Sequence, residues 1–252
     1  MVERLGIESD GQPLLVAEQV TKVYRSGEVS VLALDRLDLT VRAGELVAVM
    51  GPSGSGKTTL LNCLSGLDDI DTGRVLIQGR DLFAMSDAHR TEHRARSMGF
   101  VFQSYNLIPV FTAAENVELP LLLVGTPARE ARAQAQEILE RVGLGGRADH
   151  RPNEMSGGEQ QRVTIARALV ARPAIGWADE PTGNLDTAMA GQIMDLLQQL
   201  NAEERQTIVL VTHDPAIGRT ASRLVRMRDG RLAHDEVRTV SRAGIAAAVE
   251  SG

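Results

Sequence analysis

Cysteine and aromatic residues are scarce in this sequence: of 252 residues, one is cysteine, one is tryptophan, and aromatic residues make up 3%. Because Cys63 has no second cysteine to pair with, disulfides within the chain are excluded, which suits a reducing compartment. Long hydrophobic runs are also missing. The apolar residues 119–124 include a proline and fall far short of the roughly 20 that cross a bilayer. The first residues lack the apolar stretch of a signal peptide, so we expect any membrane role to require docking on another chain.

Positive charge is not in excess either. The formal net charge is −6, whereas a general nucleic-acid binder carries a basic surface. Hydrophobic residues make up 43% and charged residues 24%, as in an ordinary globular protein with a sizeable core. The composition therefore predicts a folded globular protein, with nucleic acid disfavoured as a partner.

Two kinds of strand pattern occupy the first quarter of the chain. Short strand-like segments separated by polar turns predict an antiparallel sheet, at residues 14–17, 31–34 and 37–41. Residues 46–50 form a continuous apolar run, typical of a strand buried on both faces of a parallel sheet. A glycine-rich turn follows, and then a helical segment over residues 57–64.

The rest of the chain alternates helices with strands. Residues 112–142 have a helical pattern that we expect Pro120 and Pro127 to break, and a further helix is predicted over about residues 157–170. Later strand candidates lie at residues 174–178, 208–212 and 224–227, with a helix at about residues 187–201 between the first two. This alternation predicts βαβ units and a parallel sheet, with the helical block inserted. Residues 1–13 are predicted to be a loose leader, and residues 237–252 a tail of unknown role.

The glycine-rich turn fits the pattern GxxxxGK[ST] of a phosphate-binding P-loop. Its residues are Gly51, Pro52, Ser53, Gly54, Ser55, Gly56, Lys57 and Thr58. Glycines let successive N–H groups point at phosphate oxygens, and the following helix adds its positive end. Lys57 can reach the β- and γ-phosphates, and the Thr58 hydroxyl can ligate Mg²⁺. The strand before the turn and the helix after it make a chance match improbable.

Two adjacent acids follow the strand predicted at residues 174–178. A carboxylate at the end of a strand beside a P-loop is well placed to hold Mg²⁺, and this is the role predicted for Asp179. Glu180 would point the other way and could orient or deprotonate an attacking water. Two solvated acids in a loop are the alternative, and the P-loop favours the functional interpretation.

Met155 precedes Ser156, Gly157, Gly158 and Glu159, which open the helix predicted at residues 157–170. Ser156 is a plausible N-cap, and the helix tip offers free N–H groups and a positive dipole end, which together form an anion site. This segment resembles the signature motif of the ABC ATPases. The other motifs of that family are present in order from about residue 14 to 232: Tyr24 for stacking on adenine, Gln103 of the Q-loop, residues 183–186 of the D-loop with Asp186, and His213 of the H-loop.

This resemblance implies an α/β fold of the P-loop NTPase (RecA-like) type, with a parallel sheet as its core. It implies an N-terminal antiparallel β subdomain, an inserted α-helical subdomain at about residues 104–170, and one ATPase domain over residues 14–236. ATP and Mg²⁺ are the implied cofactors. A second copy of the chain and a separate membrane permease are the implied partners, and the implied location is cytoplasmic, on the inner face of the cell membrane.

The resemblance also assigns roles to residues. The segment Ser156–Glu159 would cap the γ-phosphate of ATP bound to a second copy, so that two head-to-tail subunits sandwich two ATP molecules. Thr59 and Asp186 are added to the nucleotide-binding residues. Gln103 would sense Mg²⁺ and the γ-phosphate and link them to the helical insertion, and His213 would hold the γ-phosphate and the attacking water near Glu180. The predicted catalytic residues are thus Glu180, His213 and Gln103, and the predicted metal ligands are Thr58, Gln103 and Asp179.

The sequence departs from the family pattern at a few positions. Glu159 stands where many members have glutamine, and Met155 replaces the usual leucine, a nearly volume-conserving change. Gly176 and Trp177 replace aliphatic residues in the strand before the catalytic acids, and the sequence offers no physical account of that pair. Within the family, residues 100–109 and 115–120 resemble the ATPases of macrolide exporters, lipoprotein-release complexes and cell-division complexes, the MacB/LolD/FtsE type.

Several alternatives to a transporter motor stay open at this point. One is an ABC ATPase of DNA repair or chromosome organisation, but those carry long coiled coils or zinc modules between the two motifs. The stretch between Lys57 and Ser156 has neither sustained heptads nor a cysteine cluster. A second is a non-transporting mechanical lever of the cell-division type. A third is a binding module that uses ATP only as a switch, which Glu180 and His213 disfavour.

Three further residues are predicted to be structural. His89 and His93 have a spacing that can bind metal on a helix, but the nearby arginines favour a solvated basic face. Cys63 is predicted to be a small core residue.

Overall fold

A computed structural model describes residues 13–238 of the chain. The first elements are β1 (Pro13–Ser26), β2 (Val29–Arg42), β3 (Leu46–Met50), α1 (Lys57–Leu64), β4 (Thr72–Ile77), β5 (Arg80–Asp81), α2 (Asp87–Ser97) and β6 (Met98–Phe102). A helical block follows, with α3 (Ala113–Leu123), α4 (Ala128–Arg141), 3₁₀ turns at Gly145–Arg147 and Pro152–Glu154, and α5 (Gly157–Leu169). The last elements are β7 (Ile175–Asp179), α6 (Thr187–Glu204), β8 (Thr207–Thr212), α7 (Pro215–Arg219), β9 (Arg223–Arg228) and β10 (Arg231–Val237).

These strands form two sheets. The first has four strands in the order β2-β1-β4-β5, and all of its neighbours are antiparallel. The second has six strands in the order β10-β9-β3-β8-β7-β6, parallel throughout except for the antiparallel β10. The predicted α/β fold, with a parallel core and an N-terminal antiparallel sheet, is confirmed.

The six-stranded sheet is covered on both faces. Along β3, Leu46, Ala48 and Met50 belong to the hydrophobic cluster that also contains the buried residues of α3, α4, α5 and α6. Val47 and Val49, which alternate with them, belong to a second cluster with α1 and the four-stranded sheet. Alternate side chains of a strand point to opposite faces, so β3 is apolar throughout, as its sequence predicts.

Pro120 does not break the helical block. It lies inside α3, which continues to Leu123, while Pro127 immediately precedes α4. The expectation is therefore wrong for Pro120 and right for Pro127. A proline within a helix removes one hydrogen bond, and here the buried side chains of α3, including Val117 and Leu121, keep the helix packed on the core.

Gly176 and Trp177, the pair for which the sequence offers no account, both lie in β7. Trp177 is 1% exposed and belongs to the cluster between the six-stranded sheet and α1. A Cβ on Gly176 would meet its neighbours at no less than 3.7 Å, which is ordinary contact. The strand thus buries the indole, whose N–H has no hydrogen-bond partner among the described residues, and nothing in the packing demands glycine at position 176.

His93 does not belong to a solvated face. Its side chain is buried, and burial together with the charge of Arg80 lowers its pKa. Between residues 13 and 238, no group of three or more histidine, cysteine or acidic side chains could hold a metal ion. Cys63 is fully buried, as predicted. β1 begins at Pro13 and β10 ends at Val237, so most of the predicted leader and tail lies outside the described residues.

Candidate functional site

Four neighbouring strands bring the predicted motifs to one edge of the six-stranded sheet. In the order β3, β8, β7 and β6, their carboxyl ends lead into the P-loop, His213, Asp179 with Glu180, and Gln103. These strands are mutually parallel, so all four ends lie at the same edge. The carboxyl edge of a parallel sheet is where ligands bind in open α/β folds, which makes this edge the candidate site.

The P-loop has the tight curvature that its glycines predict. Gly56 has a φ of 96°, a left-handed conformation that favours glycine. A Cβ at this position would also overlap the carbonyl oxygen of Ala33. Lys57 is buried, and its ammonium donates hydrogen bonds to the carbonyl oxygens of Gly51 at 2.8 Å and Pro52 at 2.9 Å. The Lys57 side chain thus bonds the backbone of the same loop that is predicted to bind phosphate.

The other P-loop residues sit around this lysine. Ser55 is buried, whereas Pro52, Ser53 and Gly54 are exposed. Thr58, the second residue of α1, is also exposed, and its neighbour Thr59 is half-buried. Residues 52–54 of the loop are therefore accessible to a ligand, while Ser55 and Lys57 are packed against the protein.

Two of the three predicted metal ligands lie together. The Thr58 hydroxyl donates a hydrogen bond of 3.3 Å to Asp179 Oδ1. Burial and the negative charge of Glu180 raise the pKa of Asp179, while the Thr58 hydroxyl acts in the opposite direction. A hydroxyl and a carboxylate are oxygen donors of the kind that Mg²⁺ prefers, and a cation would favour the ionised carboxylate. This pair therefore fits a magnesium ion.

The third predicted ligand, Gln103, has a different partner. Its amide nitrogen lies 3.4 Å from Asn184 Oδ1, and the Asn184 amide donates to the Gln103 carbonyl oxygen at 2.8 Å. A Cβ on Gly183 would lie 2.7 Å from the Gln103 amide nitrogen, so the glycine makes room for it. The structure thus joins the Q-loop to the D-loop. Asn184 lies in the D-loop, and the sequence gives no sign of this contact.

Glu180 is held by its backbone and by His213. Its φ of 48° is left-handed, and its N–H donates to Val211 at 2.9 Å while its carbonyl oxygen accepts from Gly183 at 3.0 Å. His213 Nδ1 lies 2.8 Å from Glu180 Oε1. A left-handed non-glycine residue costs about 1–2 kcal/mol, and such strain is concentrated at functional sites. Two of the three predicted catalytic residues, Glu180 and His213, are therefore in contact.

The tip of α5 forms a capping box. Ser156 Oγ accepts from the Glu159 N–H at 3.3 Å, and Glu159 Oε2 accepts from the Ser156 N–H at 2.8 Å. The hydrogen bond from the Ser156 backbone lowers the pKa of Glu159, and Arg147, whose Nε lies 3.2 Å from Glu159 Oε1, adds to this effect. Glutamate and glutamine both serve at this third helical position. The departure at Glu159 thus keeps the helix cap.

The same tip is packed closely by the segment after Gln103 and by the start of α6. A Cβ on Gly157 would lie 2.9 Å from the Tyr105 hydroxyl, and one on Gly158 would overlap Met189. Asp186 is the N-cap of α6, and its carboxylate accepts from the Met189 N–H at 2.8 Å. The two glycines therefore leave room for the side chains of Tyr105 and Met189.

Two residues that sequence reasoning missed fix the segment after Gln103. Arg167 donates to the carbonyl oxygens of Asn106 at 2.6 Å and Tyr105 at 2.9 Å. Asn116 is fully buried, and its side chain bonds the backbone of residues 108, 111 and 112. A charged residue in the apolar pattern of α5 and an asparagine inside α3 were the signals available.

Tyr24 stands on β1 beside α1. Its hydroxyl donates to Asp68 Oδ2 at 2.7 Å, and the ammonium of Lys22 lies 5.0 Å from its ring centroid. Burial and the hydrogen bond to Asp68 raise the pKa of Tyr24, while the Thr59 hydroxyl acts in the opposite direction. Tyr24 is therefore near α1, while 43% of it stays exposed.

Comparison with known proteins identifies the family. The sequence profile of the ABC transporter family matches residues 34–183. The chain belongs to this family. It is 48% identical over 227 residues to the lipoprotein-releasing system ATP-binding protein LolD of Chromohalobacter salexigens, covering 90% of this chain and 96% of that protein. It is 50% identical over 221 residues to an uncharacterized ABC transporter ATP-binding protein of Thermotoga maritima, covering 88% and 94%.

Solved ABC cassettes share the fold. A dimeric post-hydrolysis structure of the ATP-binding cassette MJ0796, bound to ADP and Pi, has a TM-score of 0.82 and 42% identity, covering 90% of this chain and all of that one. This ABC protein is thus an ATP-binding and ATP-hydrolysing subunit of a transporter, and the DNA-repair and lever alternatives lose their support. No helix within residues 13–238 is long and apolar enough to span a membrane.

A groove of about 420 Å³ opens on this ABC subunit between α2, β6, α3 and α5. Its lining is largely apolar and includes Phe100, Phe102, Leu119 and Leu123, of which Leu123 is 74% exposed. Asn106 and Arg167 also line it. The groove therefore shares residues with the segment that follows Gln103.

Proposed function

We propose that this chain is the ATP-hydrolysing motor of a transporter of the lipoprotein-releasing type. The observation that carries the proposal is the similarity to LolD proteins over nearly their whole length, at 48% and 47% identity in Chromohalobacter and Xanthomonas campestris. The residues 100–109 and 115–120 that suggested this subgroup lie in β6, the segment after it and α3.

The proposed chemistry follows from the carboxyl edge of the sheet. The P-loop N–H groups and the end of α1 attract the phosphates of ATP, and Lys57 exchanges its carbonyl partners for phosphate oxygens. Thr58 and Asp179 would hold Mg²⁺, with Gln103 joining them, and the ion would neutralise charge on the β- and γ-phosphates. Glu180 accepts the proton of the attacking water. His213, 2.8 Å away, keeps the Glu180 carboxylate in place and reaches the γ-phosphate.

The proposed dimer of two copies of this chain is inferred from a second anion site, at the tip of α5. The tip of α5 has free N–H groups and a positive dipole end, and its capping box holds Ser156 in a fixed orientation. We infer that this tip, Ser156 to Glu159, closes over ATP on the P-loop of a second copy, with Asp186 beside it. Two nucleotides then join the two copies, and hydrolysis weakens the contact.

The groove lined by Phe100, Phe102 and Leu123 is the proposed docking site for the permease. Its apolar lining suits an apolar segment, and the partner we infer is a short cytoplasmic helix of the membrane subunit. Arg167 and Asn106 line the groove and also fix the segment after Gln103. Docking would therefore reach the nucleotide site through that segment and place the chain on the cytoplasmic face of the membrane.

Reconstitution with the permease tests this function. The chain is combined in liposomes with the membrane subunits of a lipoprotein-releasing system, and release of a lipidated protein to a soluble acceptor is measured with ATP. We expect release that depends on ATP and stops in Glu180→Gln. Leu123→Asp in the groove should abolish release while the isolated chain still binds ATP. Export of a macrolide in place of lipoprotein release would contradict the assigned cargo class.

A further inference from the structure

The loop between α1 and β4 is tied to β1 by a dense set of hydrogen bonds. Lys22 donates to Asp68 Oδ1 and to the Asp69 carbonyl oxygen, both at 2.7 Å. Asp71 accepts from the Val23 N–H at 2.7 Å and from Arg25 at 2.9 Å. Two of these residues, Lys22 and Asp68, also contact Tyr24.

Asp68 is the centre of this set. Its Oδ1 accepts from Lys22 and from the Asp69 N–H, and its Oδ2 accepts from the Tyr24 hydroxyl at 2.7 Å. Burial alone would raise the pKa of Asp68, but the hydrogen bonds from Lys22 and Tyr24 outweigh it and keep the pKa below its ordinary value. The carboxylate therefore stays charged at neutral pH and fixes both side chains at once.

One face of the Tyr24 ring is covered by Lys22. The Lys22 ammonium lies over the ring, 5.0 Å from its centroid, where the negative face of the ring attracts a cation. The ring is nonetheless 43% exposed. Val31, directly opposite Tyr24 on β2, is also exposed.

Asp68 also connects Tyr24 to the phosphate loop. Its N–H donates to the Asn62 carbonyl oxygen on α1 at 3.1 Å, and α1 begins at Lys57. The distance between the ring and the P-loop is therefore set by one rigid helix and one carboxylate. A nucleotide has a fixed separation between its base and its phosphates, so a stacking ring must be held in register with the phosphate site.

We propose that Asp68 is a positioning residue for the nucleotide base: it clamps Tyr24 and Lys22 so that the open face of the ring meets the base. This inference rests on the proposed role of Tyr24 as the stacking residue. Immobilising a side chain before binding saves the entropy that binding would otherwise lose, which corresponds to a roughly two- to tenfold gain in affinity.

The test compares ATP with inorganic tripolyphosphate, which has the phosphates without the base. Affinities of both, with Mg²⁺, are measured by calorimetry for wild type, Asp68→Ala, Tyr24→Phe and Asp69→Ala. Asp69 is the matched control because its carboxylate bonds Arg90 and does not touch Tyr24. We expect Asp68→Ala to lower ATP affinity about two- to tenfold and to leave tripolyphosphate affinity unchanged, Tyr24→Phe to act in the same direction, and Asp69→Ala to change neither.

Two results would overturn the proposal. One is unchanged ATP affinity in both Asp68→Ala and Tyr24→Phe. The other is an equal loss for both ligands in Asp68→Ala with no loss in Tyr24→Phe, which would mean that the α1 loop was disturbed instead.

Tyr24→Ala separates this inference from the proposed function: if it binds ATP as wild type does, the stacking role fails and the clamp fails with it. If it weakens ATP while the Asp68 and Tyr24→Phe variants do not, only the clamp fails.

Discussion

His213 Nδ1 lies 2.8 Å from Glu180 Oε1, so the residues that follow β8 and β7 are in direct contact across the carboxyl edge of the sheet. The glutamate side chain is 16% exposed and the histidine side chain 70% exposed. The Glu180 side chain is thus largely screened from solvent, and the exposed imidazole of His213 contacts its carboxylate. This contact fixes the carboxylate that we propose as the general base.

Glu180→Gln should abolish ATP turnover while ATP binding persists. The amide keeps the size and hydrogen-bonding shape of the carboxylate but cannot accept a proton, and general-base catalysis contributes about 10²–10⁴-fold. Because hydrolysis no longer separates the two copies, a dimer should accumulate in ATP. Phosphate release measures the first effect, and light scattering after size exclusion measures the second.

Asp195→Asn provides the control for this variant, since Asp195 lies on an exposed part of α6 away from the carboxyl edge. It should hydrolyse ATP as wild type does and stay monomeric after turnover. A Glu180→Gln protein that releases phosphate at the wild-type rate, or stays monomeric in ATP, would contradict the role of Glu180.

Lys57→Ala should sharply weaken nucleotide binding. The ammonium is the one cation that the P-loop holds among its own carbonyl oxygens, at 2.8 and 2.9 Å from those of Gly51 and Pro52. A charge-assisted hydrogen bond contributes about 1.5–3 kcal/mol, which predicts a loss of about ten- to a hundredfold in ATP affinity. Titration with quenching of the buried Trp177 as the signal measures it, and undiminished affinity would rule out this phosphate site.

The regular elements near the P-loop could be predicted from the sequence because their signals are local. The apolar run at residues 46–50 and the P-loop pattern gave β3 and α1 with their bounds as observed. β4 and β5 were missed, since residues 72–81 show no clear alternation: β4 is ordered by pairing with β1, and β5 by pairing with β4. Pro120 was misjudged because tertiary packing of α3 outweighs the local cost of a proline.

The contacts within the site were harder to predict. The P-loop and the preceding strand predicted Glu180, and resemblance supplied His213 and Gln103. Strand order explains why these residues lie at one edge, but nothing in the spacing shows that Gln103 bonds Asn184 or that Tyr105 touches the tip of α5. Those contacts join segments that are tens of residues apart. Whether they form depends on the direction in which each side chain points, which the sequence does not show. The hydrogen bonds of Asp68 belong to the same class.

Glu159→Ala should destabilise the protein by about 1 kcal/mol, because it removes one half of the capping box on α5. Glu159 accepts from the Ser156 N–H at 2.8 Å. Glu159→Gln keeps an acceptor at the same place and should cost less than half as much. Urea unfolding of the three proteins measures the difference, and equal stability of the alanine and glutamine variants would show that the capping hydrogen bond contributes nothing.

The same residue gives a pH dependence. The Ser156 backbone hydrogen bond holds the pKa of Glu159 below its ordinary value in the folded protein. A depressed folded pKa means that the stabilisation is present above the unfolded pKa and is lost as pH falls through the folded pKa. The stability advantage of wild type over Glu159→Gln should therefore be largest at neutral pH and vanish in acid. An advantage that grows on acidification would contradict the assignment.

Cys63 should be inert towards thiol reagents in the folded protein. Burial raises the pKa of its thiol to about 12, and its side chain is inaccessible. At pH 8 only about one thiol in ten thousand would be ionised, and the thiolate is the reactive species. We expect Ellman's reagent to label the native chain slowly and to titrate one thiol per chain in guanidinium, while Cys63→Ala gives no signal in either. Because ATP binds the folded state, it should slow native labelling further, and Lys57→Ala should lose this protection. Rapid labelling of the native protein would show that α1 opens without unfolding.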